Sequence, residues 1–409
     1  MQQPSLIQDI VANLDNIGQF RRDIHAHPEL SYQEFRTADA VANQLLEAGI
    51  AIHRGLGKTG VVGIIQSGNS ARSIGLRADM DALPMQEHNQ FTHASQNAGV
   101  MHACGHDGHT AMLLAAGQYL VKQQDFDGTV YLIFQPAEEH GGGAQAMIND
   151  GLFELFPMDA VYGMHNWPGL AVGEFAVSTG PVMASSNTFK IRIEGKGCHA
   201  ALPHLGLDPI PVAAQLITAL QTILTRNIHP LDNGLISITQ VNAGSTTNVI
   251  ADSCELAGTV RTFNTPVLDL IEQRMRELIQ YICQAHNIQY QFEFSRNYPP
   301  TVNHAESVAI ARQVMVNLVG EANTVNQQPT MGAEDFAFML QQLPGCYCFI
   351  GNGDGDHRSQ GHGAGPCTLH NASYDFNDAI LPLGASYWVK LVEHCLPTAA
   401  DKKNPAIAG

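Results

Sequence analysis

The chain has 409 residues, with 21 Lys plus Arg against 38 Asp plus Glu and a formal net charge of −17, which argues against nucleic acid as the main partner because phosphate binding draws its affinity from a basic surface. At 44 % hydrophobic and 14 % charged residues the composition is that of a folded globular protein, and its length, beyond the roughly 250–300 residues at which a single core stops growing, predicts two domains. No stretch approaches the roughly 20 apolar residues that span a bilayer, and the N-terminal segment carries acids and amides where a signal peptide needs an apolar run, so no membrane partner and a cytoplasmic location are expected.

In chain order, Ile7, Ile10, Val11, Leu14 and Ile17 recur at helical spacing and predict a helix over Leu6–Ile17. A second amphipathic run, Glu34–Ala48, stops at Gly49. Strands follow at Val61–Gln66 and Ser73–Ala78, then a helix at Thr110–Gln123, a strand at Thr129–Phe134 and an apolar run at Asp159–Met164. Strands separated by helices point to an α/β sheet covered on both faces. After Pro181 the pattern changes to strand (Asn187–Glu194), helix (Asp208–Arg226), strand (Leu235–Asn242), strand (Cys254–Phe263), helix (Val267–His286) and strand (Ile288–Phe294). This βαββαβ order is that of a ferredoxin-like unit. The predicted fold class is therefore α/β: an α/β/α domain with a mixed, largely parallel sheet over residues 1–184 and 296–409, interrupted by the ferredoxin-like unit over residues 185–295. The run Gly351–Gly365, rich in Gly, Asp and His, reads as a mobile loop, and without a closing Glu it is no calcium loop despite Asp354 and Asp356.

The eight Cys include no CxxC pair and fit reduced thiols, while the 19 His, several of them in polar knots, point to metal or acid–base chemistry. Asp79 and Asp81 stand where a strand breaks, placed to orient a ligating imidazole, to bind a cation directly or to cap a loop. Met101-His-Ala-Cys-Gly-His-Asp-Gly-His109 packs three His, a Cys and an Asp into nine residues, and Cys104-Gly-His106 offers two transition-metal ligands from one turn. Glu138 and Glu139 directly follow the strand Thr129–Phe134 and its Gln-Pro-Ala step; a centre that splits water needs one carboxylate as ligand and one as general base. His165 and His370 complete the set. Cys104, His106, Glu139, His165 and His370 exceed the needs of one tetrahedral zinc, so two divalent metals are favoured, with Zn ahead of Mn, Co or Ni.

The strings ADMDALP, MHACGHDGHTAML, IFQPAEE, GMHNWPG, GKGCHAALPH, TVRTFN, MGAEDFAFM and LHNASYDFND occur in this order. In combination they resemble the hippurate hydrolase and N-acyl-amino-acid amidohydrolase family, which includes auxin-conjugate hydrolases and belongs with aminoacylase and glutamate carboxypeptidase among dinuclear metallohydrolases. The resemblance implies that Cys104, His106, Glu139, His165 and His370 ligate the metals and that Glu138 is the general base. It also implies that the inserted unit is a lid that makes a homodimer, with His199 reaching the partner subunit's site to steady an oxyanion and Asn248 and Arg261 holding a substrate carboxylate. The activity so implied is hydrolysis of the amide of N-acyl or N-aroyl amino acids such as hippurate. A dipeptidase or carboxypeptidase using the same centre and a non-catalytic metal-binding protein are the alternatives. Two departures from the family pattern, His140 after Glu139 and Cys198 before His199, bear on pocket shape rather than on mechanism.

Overall fold

The structure is a computed structural model that describes residues 4–139 and 141–399, so His140 lies outside the described residues. It divides into two compact units, one of residues 1–180, 302–328 and 335–409 and one of residues 181–301 and 329–334. The second unit thus takes in a short segment, 329–334, outside the span 185–295 read from the sequence; the backbone N–H of Ala184 bonds to the carbonyls of Thr330 and Gly332 and fastens it there.

The first unit is built on an eight-stranded sheet. Its four central strands, Gly128–Gln135, Ser73–Asp79, Ala160–Pro168 and Gly345–Gly353, lie side by side in that order and are mutually parallel. Val61–Ser67 and Ala51–Arg54 extend one side antiparallel, and the short strands Phe175–Ala176 and Thr324–Val325 close the other. Ser73–Asp79 is buried along its whole length, which is why its sequence shows no alternation of polar and apolar residues. The helices His106–Gln123 and Leu381–Cys395 are buried on most of their surface, and Trp388, Tyr387, Leu113 and Leu132 belong to one continuous core. No helix among the described residues is long and apolar enough to cross a membrane.

The second unit has a four-stranded antiparallel sheet in the order Gly234–Ala243, Ser253–Thr262, Ser186–Glu194, Gln289–Tyr298, with the helices Pro209–Arg226 and Thr265–Ala285. Burial alternates along Ser186–Glu194. Phe189, Ile191 and Ile193 share a core with Leu216, Leu220, Ile271 and Met275, while the intervening residues are exposed. Both helices start in the same way: Asp208 accepts from the N–H of Ile210, Asn264 accepts from that of Val267, and a proline sits in each first turn.

Several elements differ from the sequence expectation. The first helix breaks at Asn13 and its second part runs over Leu14–Ala26. Strand Ala51–Arg54 was hidden because it lies at the sheet edge, exposed or half-buried. The helix expected from Thr110 starts at His106, its polar first turn being buried rather than solvated. Gly351–Gly353 belongs to a strand, and the rest of the Gly/Asp/His run is tied down: His362 Nε2 lies 2.9 Å from Asp375 Oδ2, and Arg358 donates to the Gly365 carbonyl at 2.8 Å.

Candidate metal centre

The chain leaves Ser73–Asp79 for the strand on one side, Gly128–Gln135, and then crosses to the strand on the other, Ala160–Pro168. This reversal opens a crevice at the C-terminal end of the middle strand, the usual ligand position in an open α/β sheet. Asp79 is the last residue of that strand and is fully buried. Its Oδ2 accepts from Arg77 Nη1 at 2.6 Å and its Oδ1 from His109 Nδ1 at 2.6 Å. Burial alone raises its pKa, but His106, Arg77 and His109 outweigh that and hold it well below the usual carboxylate range.

Asp81 works differently. Its Oδ1 accepts from the backbone N–H of Glu138 and its Oδ2 from that of Glu139, both at 3.0 Å, while Ser31 Oγ donates to Oδ2 at 2.7 Å. One carboxylate therefore fixes the backbone of both glutamates, and its own carbonyl oxygen accepts from His106 Nδ1 at 2.9 Å. Of the roles left open for the acidic pair, orientation is the one its bonds describe.

Helix His106–Gln123 starts behind Gly105, whose φ is 92°. A Cβ there would lie 2.3 Å from Asn166 Nδ2 and 2.5 Å from Tyr374 Oη, so only glycine fits between Cys104 and His106. Cys104 Sγ is 3.3 Å from His165 Nε2. His165 Nδ1 donates to the Asn166 carbonyl at 2.6 Å, so His106 and His165 both commit Nδ1–H to a backbone carbonyl and turn Nε2 toward the crevice, the arrangement typical of metal-ligating imidazoles. Donor atoms of Cys104, His106 and His165 lie within 4.8 Å of one another, as do those of Cys104, Glu139 and His370, and those of His106, Glu138 and Glu139. The fold therefore brings together the five residues read from the sequence as ligands, with Glu138 beside them. His370 is the outermost, its backbone in the left-handed region at φ 59° and its N–H bonded to the Ala103 carbonyl.

The donor set fits a divalent cation. His106 Nε2 and Glu139 Oε1 are buried without a hydrogen-bond partner and face each other at 3.9 Å; unpaired buried polar atoms cost about 1–3 kcal/mol each, a cost that an ion between them removes. His370 Nε2 is 3.2 Å from the same Glu139 oxygen but outside hydrogen-bond geometry. Asp79, His106 and His109 also cluster, yet His109 has no lone pair to give, because Nδ1 donates to Asp79 and Nε2 accepts from the Asn166 N–H at 2.9 Å. The bonds of Asp79 and His109 therefore describe orientation, while His106 belongs with the donors.

Sequence reasoning named Asp79 and Asp81 for this supporting layer and missed the rest of it. Asn166 Nδ2 donates to the Cys104 carbonyl at 2.7 Å and its Oδ1 accepts from Tyr374 Oη at 2.8 Å. Asp335 accepts from Arg77 Nη2 at 3.1 Å, from Gln135 Nε2 at 2.8 Å and from the Ala144 N–H at 2.9 Å. The signal for His109 was present: on a helix that begins at His106, a residue three positions on lies on the same face.

The other three residues lie in the second unit. His199 is on a short strand, Cys198–His199, paired with Val249–Ile250, which places Asn248 beside it through the Ala200 N–H to Asn248 carbonyl bond. His199 is exposed, and its Nδ1 accepts from the Ala201 N–H at 3.0 Å, leaving Nε2 to carry the proton. Arg261, on strand Ser253–Thr262, is half-buried, and burial lowers its pKa. No carboxylate pairs with it among the described residues.

The parallel sheet with a buried Cys/His/Glu cluster at its switch point defines a metal-dependent hydrolase. Residues 75–394 match the Peptidase family M20/M25/M40, and the chain belongs to that family. It is 41 % identical to a hippurate hydrolase of Campylobacter jejuni over 95 % of this chain and 98 % of that protein. It is 43 % identical to an N-acetyl-L-cysteine deacetylase of Bacillus subtilis over 82 % of this chain and 80 % of that protein. A Bacillus subtilis crystal structure described as a dinuclear metal binding peptidase of the M20 family superimposes with a TM-score of 0.81 at 33 % identity, covering 95 % of this chain and 99 % of the other.

Two protons stand in the way of a cation. Burial pushes the Cys104 thiol well above its ordinary value, and Glu139 and Glu138 push the same way. Burial disfavours the charged form of His106, but Asp79 and Asp81 outweigh it and raise the imidazole to about 10. Metal loading at neutral pH must displace these protons, so affinity should rise with pH and loading should release protons. Calorimetry in buffers of different ionisation enthalpy should give heats that vary with the buffer; heats independent of buffer would contradict this.

Proposed function

We propose that this chain is a metal-dependent amidohydrolase that cleaves the amide of N-acyl or N-aroyl amino acids, with hippurate as the leading substrate, releasing a carboxylic acid and a free amino acid. The observation that carries the reading is the convergence of Cys104, His106, Glu139, His165 and His370 on one crevice with a further buried carboxylate, Glu138, beside them. The hippurate hydrolase and deacetylase relatives support the acyl amino acid as substrate class. Those five side chains would hold two divalent ions, with the Cys and His donors favouring Zn over Mn, Co or Ni. When bound, such ions supply Lewis acidity that makes water a nucleophile near neutral pH and polarises the scissile carbonyl.

The chain's own groups supply the rest. The Glu138 carboxylate, aimed by the bond from its N–H to Asp81, takes a proton from the attacking water and returns it to the leaving nitrogen, which departs as a neutral amine. His199 presents Nε2–H as a donor for the developing oxyanion. Its place on the inserted unit supports service in the site of a second chain, with a homodimer formed through that unit acting as a lid. Arg261, half-buried and lacking an acidic partner among the described residues, grips the substrate's carboxylate with its planar fork, and Asn248 assists it. A dipeptidase reading is favoured by the peptidase description of the superimposed structure, and rates on hippurate and on glycyl dipeptides measured side by side separate the two.

Glu138→Gln keeps the side-chain shape but cannot accept a proton, so kcat for hippurate should fall by roughly 10²–10⁴ at unchanged metal content. Loss of metal together with activity would make Glu138 a ligand and reverse the glutamate roles. Arg261→Ala should raise KM for acyl amino acids by roughly tenfold or more and leave their C-terminal amides, which lack the carboxylate, far less affected. Equal losses on acids and amides would assign Arg261 to the fold.

A further inference from the structure

The turn that carries Glu138 and Glu139 is held in a conformation it would not adopt alone. Ala137, the residue before Glu138, has φ 55°, a left-handed setting that costs a residue with a Cβ roughly 1–2 kcal/mol. Six residues on, the turn is tight: a Cβ at Gly143 would lie 1.7 Å from the Pro136 carbonyl oxygen. Within the turn the Ala137 carbonyl accepts from the N–H groups of Gly141 and Gly143, which leaves its own N–H to be held from outside.

Glu34 does this from a segment about a hundred residues earlier in the chain. Its residue is fully buried just before helix Phe35–Glu47. Glu34 Oε1 accepts from the Ala137 N–H at 2.9 Å and from the Tyr32 N–H at 3.0 Å, and Oε2 accepts from Thr59 Oγ1 at 2.6 Å. Tyr32 is itself left-handed at φ 62°, and its hydroxyl donates to the Gly141 carbonyl at 2.7 Å, at the other end of the same turn. One carboxylate oxygen thus joins two strained backbone turns, one of them covalently next to Glu138. No step of the proposed reaction uses Glu34, and its buried acceptor atoms are engaged with structure alone.

We propose that Glu34 is a positioning residue for Glu138, acting through the left-handed Ala137, with Tyr32 closing the far end of the turn. The proposal rests on the reading of Glu138 as proton acceptor. Asp81 still ties the N–H groups of Glu138 and Glu139 when Glu34 is removed, so the expected damage is to the aim of the side chain and not to the existence of the site.

The test uses the metal-loaded full chain in four forms: wild type, Glu34→Ala, Glu34→Gln and Glu34→Ala combined with Ala137→Gly. Glu34→Ala should lower kcat for hippurate by roughly 10–100-fold with KM changed less than about threefold, the scale of an ångström-sized misplacement. Glu34→Gln should recover most of kcat, because both N–H groups converge on the one oxygen that an amide keeps and Thr59 can turn its hydroxyl to accept. The double variant should recover as well, because glycine takes the left-handed setting without strain. A merely structural role would lower thermal stability without this pattern of rescue. Cobalt-substituted samples give a second readout that needs no turnover: the visible absorption should change in Glu34→Ala and return in the double variant. If the wild type hydrolyses no acyl amino acid the functional reading fails, and the cobalt spectra alone decide the positioning role. Wild-type kcat in Glu34→Ala, an unaltered cobalt spectrum, or no recovery on adding Ala137→Gly would overturn the proposal.

Discussion

The centre depends on one buried carboxylate, Asp81, which takes the backbone N–H of Glu138 on one oxygen and that of Glu139 on the other. Through its own carbonyl it also sets the ring of His106, so segments around positions 81, 106 and 138 are referred to a single residue. Burial raises the Asp81 pKa, but the bonds from His106, Ser31 and Glu139 more than reverse this, and the group stays an acceptor. Without it the N–H groups of Glu138 and Glu139 lose their partner, a cost of about 1–3 kcal/mol for the buried one at Glu138. Asp335 does similar work at the two ends of the turn, at Gln135 and Ala144, and is balanced by Arg77 between it and Asp79. The glutamates sit on a turn held by buried acids whose bonds run to backbone N–H groups and side chains around it.

The second constraint sorts the imidazoles. His106, His109 and His165 lie close together, with ring centroids 4.5–5.9 Å apart, yet their hydrogen bonds give them different work. His106 commits only Nδ1, to a carbonyl; His165 commits Nδ1 likewise and meets the Cys104 sulfur with Nε2; His109 has both nitrogens engaged away from the other donors. A cation placed among the buried donors then completes the hydrogen-bond accounting that the protein alone leaves open at His106 Nε2 and Glu139 Oε1. Proximity in the fold is therefore a weaker criterion for a ligand than a free lone pair.

The chemistry-bearing residues were legible in the sequence because their types are rare in such density: Cys104, His106, Glu138 and Glu139 stand in short polar knots beside apolar strands, and a strand that ends in a carboxylate announces a site. The alternation of strand and helix conveyed the α/β order, and the change of pattern after Pro181 conveyed the inserted βαββαβ order. What the sequence did not disclose is the part of the aiming layer beyond Asp79 and Asp81. Asn166 meets Cys104 and Tyr374, Asp335 meets Gln135, and Glu34 meets Ala137, each across more than fifty residues of chain, and such pairings have no local periodicity to betray them. The start of helix His106–Gln123 was missed for a related reason: its first turn is polar yet buried, so the hydrophobic pattern begins late. The left-handed backbones of Ala137 and His370 carry no glycine to mark them.

Five side chains from four separate segments are proposed to form one metal centre, aimed by residues that do not ligate. Anomalous diffraction from crystals of the Zn-loaded protein, collected on both sides of the zinc absorption edge, tests it directly. Two peaks are expected in the crevice, each within about 2.0–2.3 Å of donor atoms, with Cys104, His106, Glu139, His165 and His370 shared between them and His109 and Asp79 outside bonding distance. Peaks bonded to His109 or Asp79, or the absence of any peak within reach of Cys104, would contradict it.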